Sequence, residues 1–416
     1  MAGGTGVRSL ARDRSFALLW TGQTISEFGS AITTLVLPLI AVATLHASAF
    51  EVSLVAAATS VAWLVIGLPA GAWVDRVRRR PVLIAADLGR ALALATVPIA
   101  WALGRLTVAQ LIVVAAVTGM LTVLFMAAES VFVATIVDRD RLVDANGKLM
   151  ASTSVALIGG PGVGGALVQL VGAPVALLAD AVSFVVSAVC LVRIRVVEHM
   201  TEKTGSRLRA DVAAGLRYVL HSPFHRCMVV TGTISNFVLA GQGAVIVVFL
   251  VREVGVAGGV VGVLFALGAV GALAGSLLAS RLADRYGDAV VVRVVPVVVA
   301  GGGLLLPMTT RGAGLAWFVA GQLLLTAGIA VFNVCVRAAV QIGTPPELLG
   351  RTGTSIRLFS RGALPVGAIT GGALATLLSA RSTVAIMMAL MLVVPVFLYR
   401  SPLGGVRRVA DLHSGQ

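Results

Sequence analysis

The sequence predicts an all-α, polytopic membrane protein with twelve transmembrane helices in two pseudo-symmetric six-helix bundles. Three observations predict it. Of the 416 residues, 58% are hydrophobic and 12% charged, against about 45–50% and about 25% in a soluble domain. The apolar residues gather in long continuous runs. The basic residues gather in alternate turns between those runs.

A hydrocarbon core about 30 Å thick takes roughly 20 residues of helix. Twelve runs are long enough: 16–45, 52–74, 81–104, 107–137, 149–171, 173–195, 226–251, 258–282, 289–309, 313–340, 353–378 and 382–399. Backbone groups in lipid must be satisfied within the chain, which leaves helices or a closed barrel. Barrel strands run about 10 residues with alternating polarity, a pattern that these long runs lack. The first run, opening at Phe16, is about thirty residues long, against about 7–15 for a signal-peptide core. It reads as a retained helix.

Orientation follows from Arg and Lys. Arg8, Arg12 and Arg14 precede the first run. Arg76, Arg78, Arg79 and Arg80 follow the second, and Arg139, Arg141 and Lys148 follow the fourth. Seven basic residues, from Arg193 to Arg226, follow the sixth, and Arg281, Arg285 and Arg293 follow the eighth. The opposite turns hold one each: Arg105, Arg252, Arg311 and Arg381. Both termini are therefore expected in the cytoplasm. Lys148 and Lys203 are the only lysines. With abundant Ala, Val and Gly, this suggests a GC-rich bacterial host and hence the inner membrane.

The net charge of +14 would suggest nucleic acid in a soluble chain. Here the turn clusters sit where anionic headgroups lie, so lipid is the expected partner and nucleic acid is not. The longest interruption divides the chain into an N-terminal half, 1–195, a cytoplasmic linker, 196–225, and a C-terminal half, 226–416. The amphipathic end of the linker, DVAAGLRYVLHS, predicts a short helix on the inner surface.

The halves repeat a motif. After the second run stand Gly71, Asp75, Arg76, Arg79 and Arg80; after the eighth stand Asp284, Arg285 and Gly287. Such duplication marks architectures that rock one half against the other around a central site. An Asp at a helix end can pair with a neighbouring Arg and latch one conformation. These residues resemble the G-x-x-x-D-R-x-G-R-R loop motif of the major facilitator superfamily. The first copy departs at Arg78, where glycine is usual. The second has Ser280 for the glycine and Asp288 for a basic residue, which makes it the weaker latch.

The fifth run contains Gly160, Pro161, Gly164 and Gly165. Glycines permit close helix approach, and Pro161 removes an N–H and is expected to bend the helix. Packing is one reading of this pattern. It also resembles the G-P-x-x-G-G motif of the superfamily's exporters, with an echo at Gly362, Pro365, Gly367, Gly371 and Gly372. The phrases LLWTGQTISEFGS, GLPAGAWVDRVRRRPVLIAADLGRA and GGPGVGGALVQLVGAPVALLADAVSF resemble the bacterial branch of the enterobactin exporter and macrolide-efflux-type permeases. That resemblance implies proton-driven export of a small or medium organic molecule, of drug, macrolide or siderophore type, by a functional monomer.

Ionisable residues inside a membrane span are functional candidates by default. Glu27 shares a face with Gln23 and lies near mid-membrane, which suits a proton site; a permanently paired carboxyl is the alternative. Glu129 and Asp180 are the further proton-coupling candidates. Asp87 and Arg90, three apart, read as an intrahelical pair or as gating partners of the Asp75 loop. Gln23, Trp63, Asn236, Gln242, Gln322, Asn333 and Arg361 are candidates to line a substrate cavity. Arg361 stands where tryptophan is usual in the branch, and Arg357, four residues earlier on the same face, can reach the inner surface.

Other classes find less support. Cys190, Cys227 and Cys335 form no disulfide framework, and the five histidines, all placed outside the helix cores, show no metal spacing. No cofactor, metal or enzymatic activity is expected. No G-x-x-x-x-G-K-[ST] segment points to a nucleotide-driven pump. Import or uniport by the same fold, and a non-transporting sensor, stay open at this stage; gradient-dependent transport separates them.

Overall fold

The computed structural model describes residues 13–74, 76–196, 217–344 and 349–412. Among them there are helices and no strands, as lipid requires of backbone that cannot bond to water. The first six helices are α1 (Arg14–Leu39), α2 (Ala49–Val74), α3 (Arg79–Ala102), α4 (Val108–Ile136), α5 (Leu142–Val171) and α6 (Ala173–Arg193). Then follow α7 (Pro223–Val248), α8 (Gly258–Tyr286), α9 (Asp288–Leu305), α10 (Leu315–Ile342), α11 (Leu349–Leu377), α12 (Ala380–Leu390) and α13 (Val393–Tyr399). α1 and α7 both continue into a wide π-type turn, Ile40–Thr44 and Phe249–Val254.

Eleven of the described helical segments are long and apolar enough to cross a membrane. The eleventh expected run, within α11, is helical but is not among them; the first half of α11 carries Arg351, Arg357 and Arg361. The last run is broken after Leu390, so α12 and α13 share one span, Ala380–Tyr399. α5 begins seven residues before its expected start (149 − 142), because Asp144, Asn146 and Lys148 extend it as a polar helix; Lys148 bonds Asp144 one turn away at 2.8 Å. α8 runs to Tyr286, so Asp284 and Arg285 lie inside its last turn and not in the loop beyond it. α5 passes through Pro161 without a break. His225, expected outside the helix cores, sits buried in the first turn of α7, bonded to Ser222 at 2.7 Å and Thr344 at 2.8 Å. Residues 217–221 form a helical turn at the end of the linker. The rest of the expected surface helix, and most of the linker, lie outside the described residues.

α1 packs against α5 and α6, α4 against α2 and α3, and α3 against α6. In the second part, α7 packs against α11 and α12, α10 against α8 and α9, and α9 against α12. The two groups meet mainly where α2 lies along α11 and α5 along α8. These seams are tight at the end that carries the α1–α2 and α7–α8 turns. A Cβ placed on Gly165 of α5 would fall 2.6 Å from the Gly259 carbonyl and 2.9 Å from the Gly262 Cα of α8. A Cβ on Gly372 of α11 would fall against the Ser53 side chain of α2 and 3.1 Å from the Ala49 carbonyl. At the same end, Arg252 Nη2 donates to the Ala47 carbonyl at 2.6 Å and to that of Val42 at 3.4 Å, tying the α7–α8 turn to the α1–α2 turn.

Candidate functional site

A cluster of charge is built from α1, α3, α4 and α6. Asp87 and Arg90, three apart on α3, face one way and form an ion pair that is almost fully buried. The Arg90 guanidinium lies between two aromatic faces, 4.5 Å from the Phe125 centroid and 4.0 Å from that of Phe184. Flanking aromatic quadrupoles favour a desolvated cation. Three further carboxyls lie within electrostatic reach of the same guanidinium: Glu27 of α1, Glu129 of α4 and Asp180 of α6. Glu129 has Gln23 of α1 as a polar neighbour. Asp180 is buried and accepts from Thr33 Oγ1 at 2.5 Å and from Ser183 Oγ at 3.0 Å. All three proton-coupling candidates thus lie within the field of Arg90, a residue that the sequence offered as an intrahelical partner of Asp87 or as a gating partner of the Asp75 loop. Its i,i+3 spacing from Asp87 identified the pair; the other carboxyls come from separate helices and leave no signal in spacing.

Beside this cluster opens a cavity of about 600 Å³. Its walls include Asp180, Trp63 and Arg361, with hydroxyl residues Ser30, Thr33, Thr34, Thr59, Ser60, Thr118 and Thr122. Arg361 of α11 stacks over Trp63 of α2, 4.1 Å from the ring centroid, and so bridges the two helical groups. Several hydroxyl protons are committed to carbonyls of their own helix: Thr34 to Ser30 at 2.9 Å, Thr59 to Ala56 at 2.7 Å, Thr118 to Val114 at 2.7 Å and Thr122 to Thr118 at 2.8 Å. What these side chains can still offer is oxygen lone pairs.

The remaining candidates disperse. Asn236 donates to the Gly232 carbonyl of its own helix at 2.8 Å. Gln242 is buried outside the cavity lining, and Gln322 is buried against Gly268 in the α8–α10 seam. Asn333 is exposed and is not among the residues lining the cavity. The glycine motif of α5 makes helix contacts: Gly160 faces Ala31 and Gly164 faces Ile32 of α1, while the Pro161 carbonyl and Gly165 face Gly262 of α8.

In the first loop, Asp75 lies outside the described residues, as do the surroundings of Gly71 and the side chain of Arg357. Arg76 is exposed and Arg79 buried. Arg80 donates to the carbonyls of Leu191, at 2.8 Å, and Val192, anchoring α3 to the end of α6. In the second copy of the motif, Asp284 and Arg285 are exposed at the end of α8, and Gly287 beyond it takes a positive φ of 93°. The chain's own C-terminal segment lies against this copy. Arg407 donates to the carbonyls of Arg285 and Tyr286 at 3.1 and 3.3 Å, and the Val409 amide donates to Asp288 at 2.9 Å.

Comparison with known proteins follows from this geometry. A family profile, Major Facilitator Superfamily, matches residues 19–360. No curated protein matches the chain. Among solved structures, the nucleoside transporter NupG is similar with a TM-score of 0.76 at 11% identity, over 94% of this chain and 99% of that one. A bacterial homologue of the iron transporter ferroportin gives 0.76 at 17%, over 94% and 99%. A bacterial homologue of the human lysosomal transporter Spinster gives 0.72 at 13%, over 94% and 97%. At these identities the likeness is one of fold.

Proposed function

Because the chain belongs to the major facilitator superfamily, we propose that it is a proton-coupled secondary transporter that exports a small or medium organic molecule by alternating access. In this reading residues 1–195 and 226–416 are two six-helix halves in a bacterial inner membrane, with twelve spans and both termini cytoplasmic. The observation that carries it is the buried Asp87–Arg90 pair, with Glu27, Glu129 and Asp180 on neighbouring helices within its electrostatic reach, beside a polar cavity. One cation cannot neutralise four anions in a low-dielectric interior, so some of the acids must hold protons when water is excluded. Opening the cavity to water lowers that cost and releases them. Asp180 both belongs to the cluster and lines the cavity, which gives proton and substrate a common surface. Export as the direction rests on the α5 motif and on the resemblance of the branch.

Everted membrane vesicles with an imposed proton gradient test direction and coupling together. Uptake of a drug, macrolide or siderophore driven by acid inside the vesicle is expected. Glu27→Gln keeps size and hydrogen bonding and removes titration; it is expected to abolish uphill movement and to spare substrate binding. Uphill transport at the wild-type rate by the Gln variant would make Glu27 a structural residue.

A further inference from the structure

A second compartment lies against the polar cavity. It is an apolar groove of about 620 Å³ between α2, α7, α11, α12 and α13, walled among others by Phe237, Phe359, Val366 and Val393. The two compartments share a wall. On α2, Trp63 faces the cavity and the next residue, Leu64, faces the groove. On α11, Arg361 and Leu364 face the cavity, while Gly362 and Ala363 between them face the groove. Successive helical residues point about 100° apart, so these two helices present one side to each compartment. Across this wall a Cβ at Gly362 would sit 3.3 Å from Leu64 Cδ2.

The chemistry of the two compartments differs sharply. The cavity carries one carboxyl, one guanidinium and a set of hydroxyl oxygens whose protons are largely committed to the protein. It suits a head of no net charge that brings hydrogen-bond donors. The groove offers hydrocarbon almost throughout. A wholly polar ligand leaves the groove unused, and a wholly apolar one leaves the cavity's oxygens without donors.

Building on the central cavity as the substrate site, we propose that the transported molecule is a single-chain amphiphile. Its donor-bearing polar head sits in the cavity against Asp180 and Arg361, and its hydrocarbon chain crosses the α2–α11 wall into the groove. The groove, lined by exposed apolar residues such as Leu64, Phe359 and Val366, is continuous in chemistry with the bilayer from which such a molecule comes.

The test uses the full chain in lipid nanodiscs and n-alkyl β-D-glucosides from butyl to decyl, below their micelle concentrations. Kd is measured for the wild type and for two groove-filling variants, Val366→Trp and Val393→Trp, both at exposed positions. In the wild type, Kd is expected to fall about fourfold per added methylene, the transfer free energy of one CH2. In the variants, butyl glucoside is expected to bind as before while the gain per methylene drops by at least half. Partition into the disc lipid is common to all three proteins, so only the difference in slope counts. Equal slopes would leave the groove to bilayer lipid and overturn the proposal, as would absence of binding at every chain length. Arg361→Ala separates the two readings. If it leaves butyl glucoside binding unchanged while the slopes still differ, the central cavity is not the site of the head and the earlier reading falls.

Discussion

Arg90 keeps a full charge inside the helical bundle by three means at once: an ion pair with Asp87, two aromatic faces, and the fields of three more carboxyls. A lysine retains the charge but lacks the planar fork and stacking surface. Arg90→Lys is therefore expected to lower the thermal unfolding midpoint and to remove coupled transport. Arg90→Ala is expected to cost more, about 3–5 kcal/mol, because it strands Asp87 without its partner. Thermal unfolding in detergent with and without a transport assay checks both. A Lys variant as stable and active as wild type would show that charge alone suffices. The same residue marks the reach of sequence reasoning: spacing identified Asp87 as its partner, whereas Phe125, Phe184, Glu27, Glu129 and Asp180 come to it from three other helices.

Among the elements, the α5–α8 seam depends on missing side chains. Gly165 and Gly262 let the two backbones touch, and α11 meets α2 in the same way at Gly372. A Cβ at Gly162 would lie 3.4 Å from that of Ala266, close to disulfide range. The pair Gly162→Cys and Ala266→Cys is expected to cross-link on mild oxidation. Adding Gly165→Leu, which cannot fit beneath the Gly259 carbonyl, is expected to reduce that cross-link severalfold, read as band shift after cleavage in the linker. Undiminished cross-linking would mean that the seam yields easily. The glycine-rich pattern of α5 was legible as small-residue packing and as an exporter-like motif. Its partner helices were not, since a run of glycines says that something comes close and not what.

For the whole molecule, Arg252 straps the two helical groups together at the end that carries the α1–α2 and α7–α8 turns, where Gly165 and Gly372 bring their helices close. Three of the four lone arginines in the turns on that side bond to carbonyls: Arg252, Arg311 to Val254, and Arg381 to Pro307 and Thr309. Arg252→Ala is expected to loosen this closure by about 1 kcal/mol at an exposed position, roughly fivefold in the equilibrium. Spin labels at Ala43→Cys and Ala313→Cys would report it as a larger population of long distances; an unchanged distribution would remove Arg252 from the gate. Orientation has its own test. Cysteines replacing Ser9, Thr204 and Ala410 are expected to be shielded from an impermeant thiol reagent in intact cells, and labelling at Thr204 from outside would reverse the topology.

What the sequence determined by itself was the solvent and the architecture that follows from it. Hydrocarbon tolerates such long apolar runs only as helix, so they prescribe spans; the lone and clustered arginines between them are the ground for the proposed orientation. The doubled Asp-Arg motif at Asp75 and Asp284 is the ground for proposing a duplicated chain. Only the tertiary structure decided which polar residues form a site. It joined Trp63 to Arg361 and Gln23 to Glu129, set Asp180 at the cavity wall, and left Asn236, Gln242, Gln322 and Asn333 apart from it. It also gave the second loop a partner, the C-terminal segment through Arg407 and Val409. Helical periodicity specifies the face a residue occupies on its own helix. Which face of which other helix it meets is set by packing among the helices, where side-chain volume and glycine spacing act across hundreds of residues of chain.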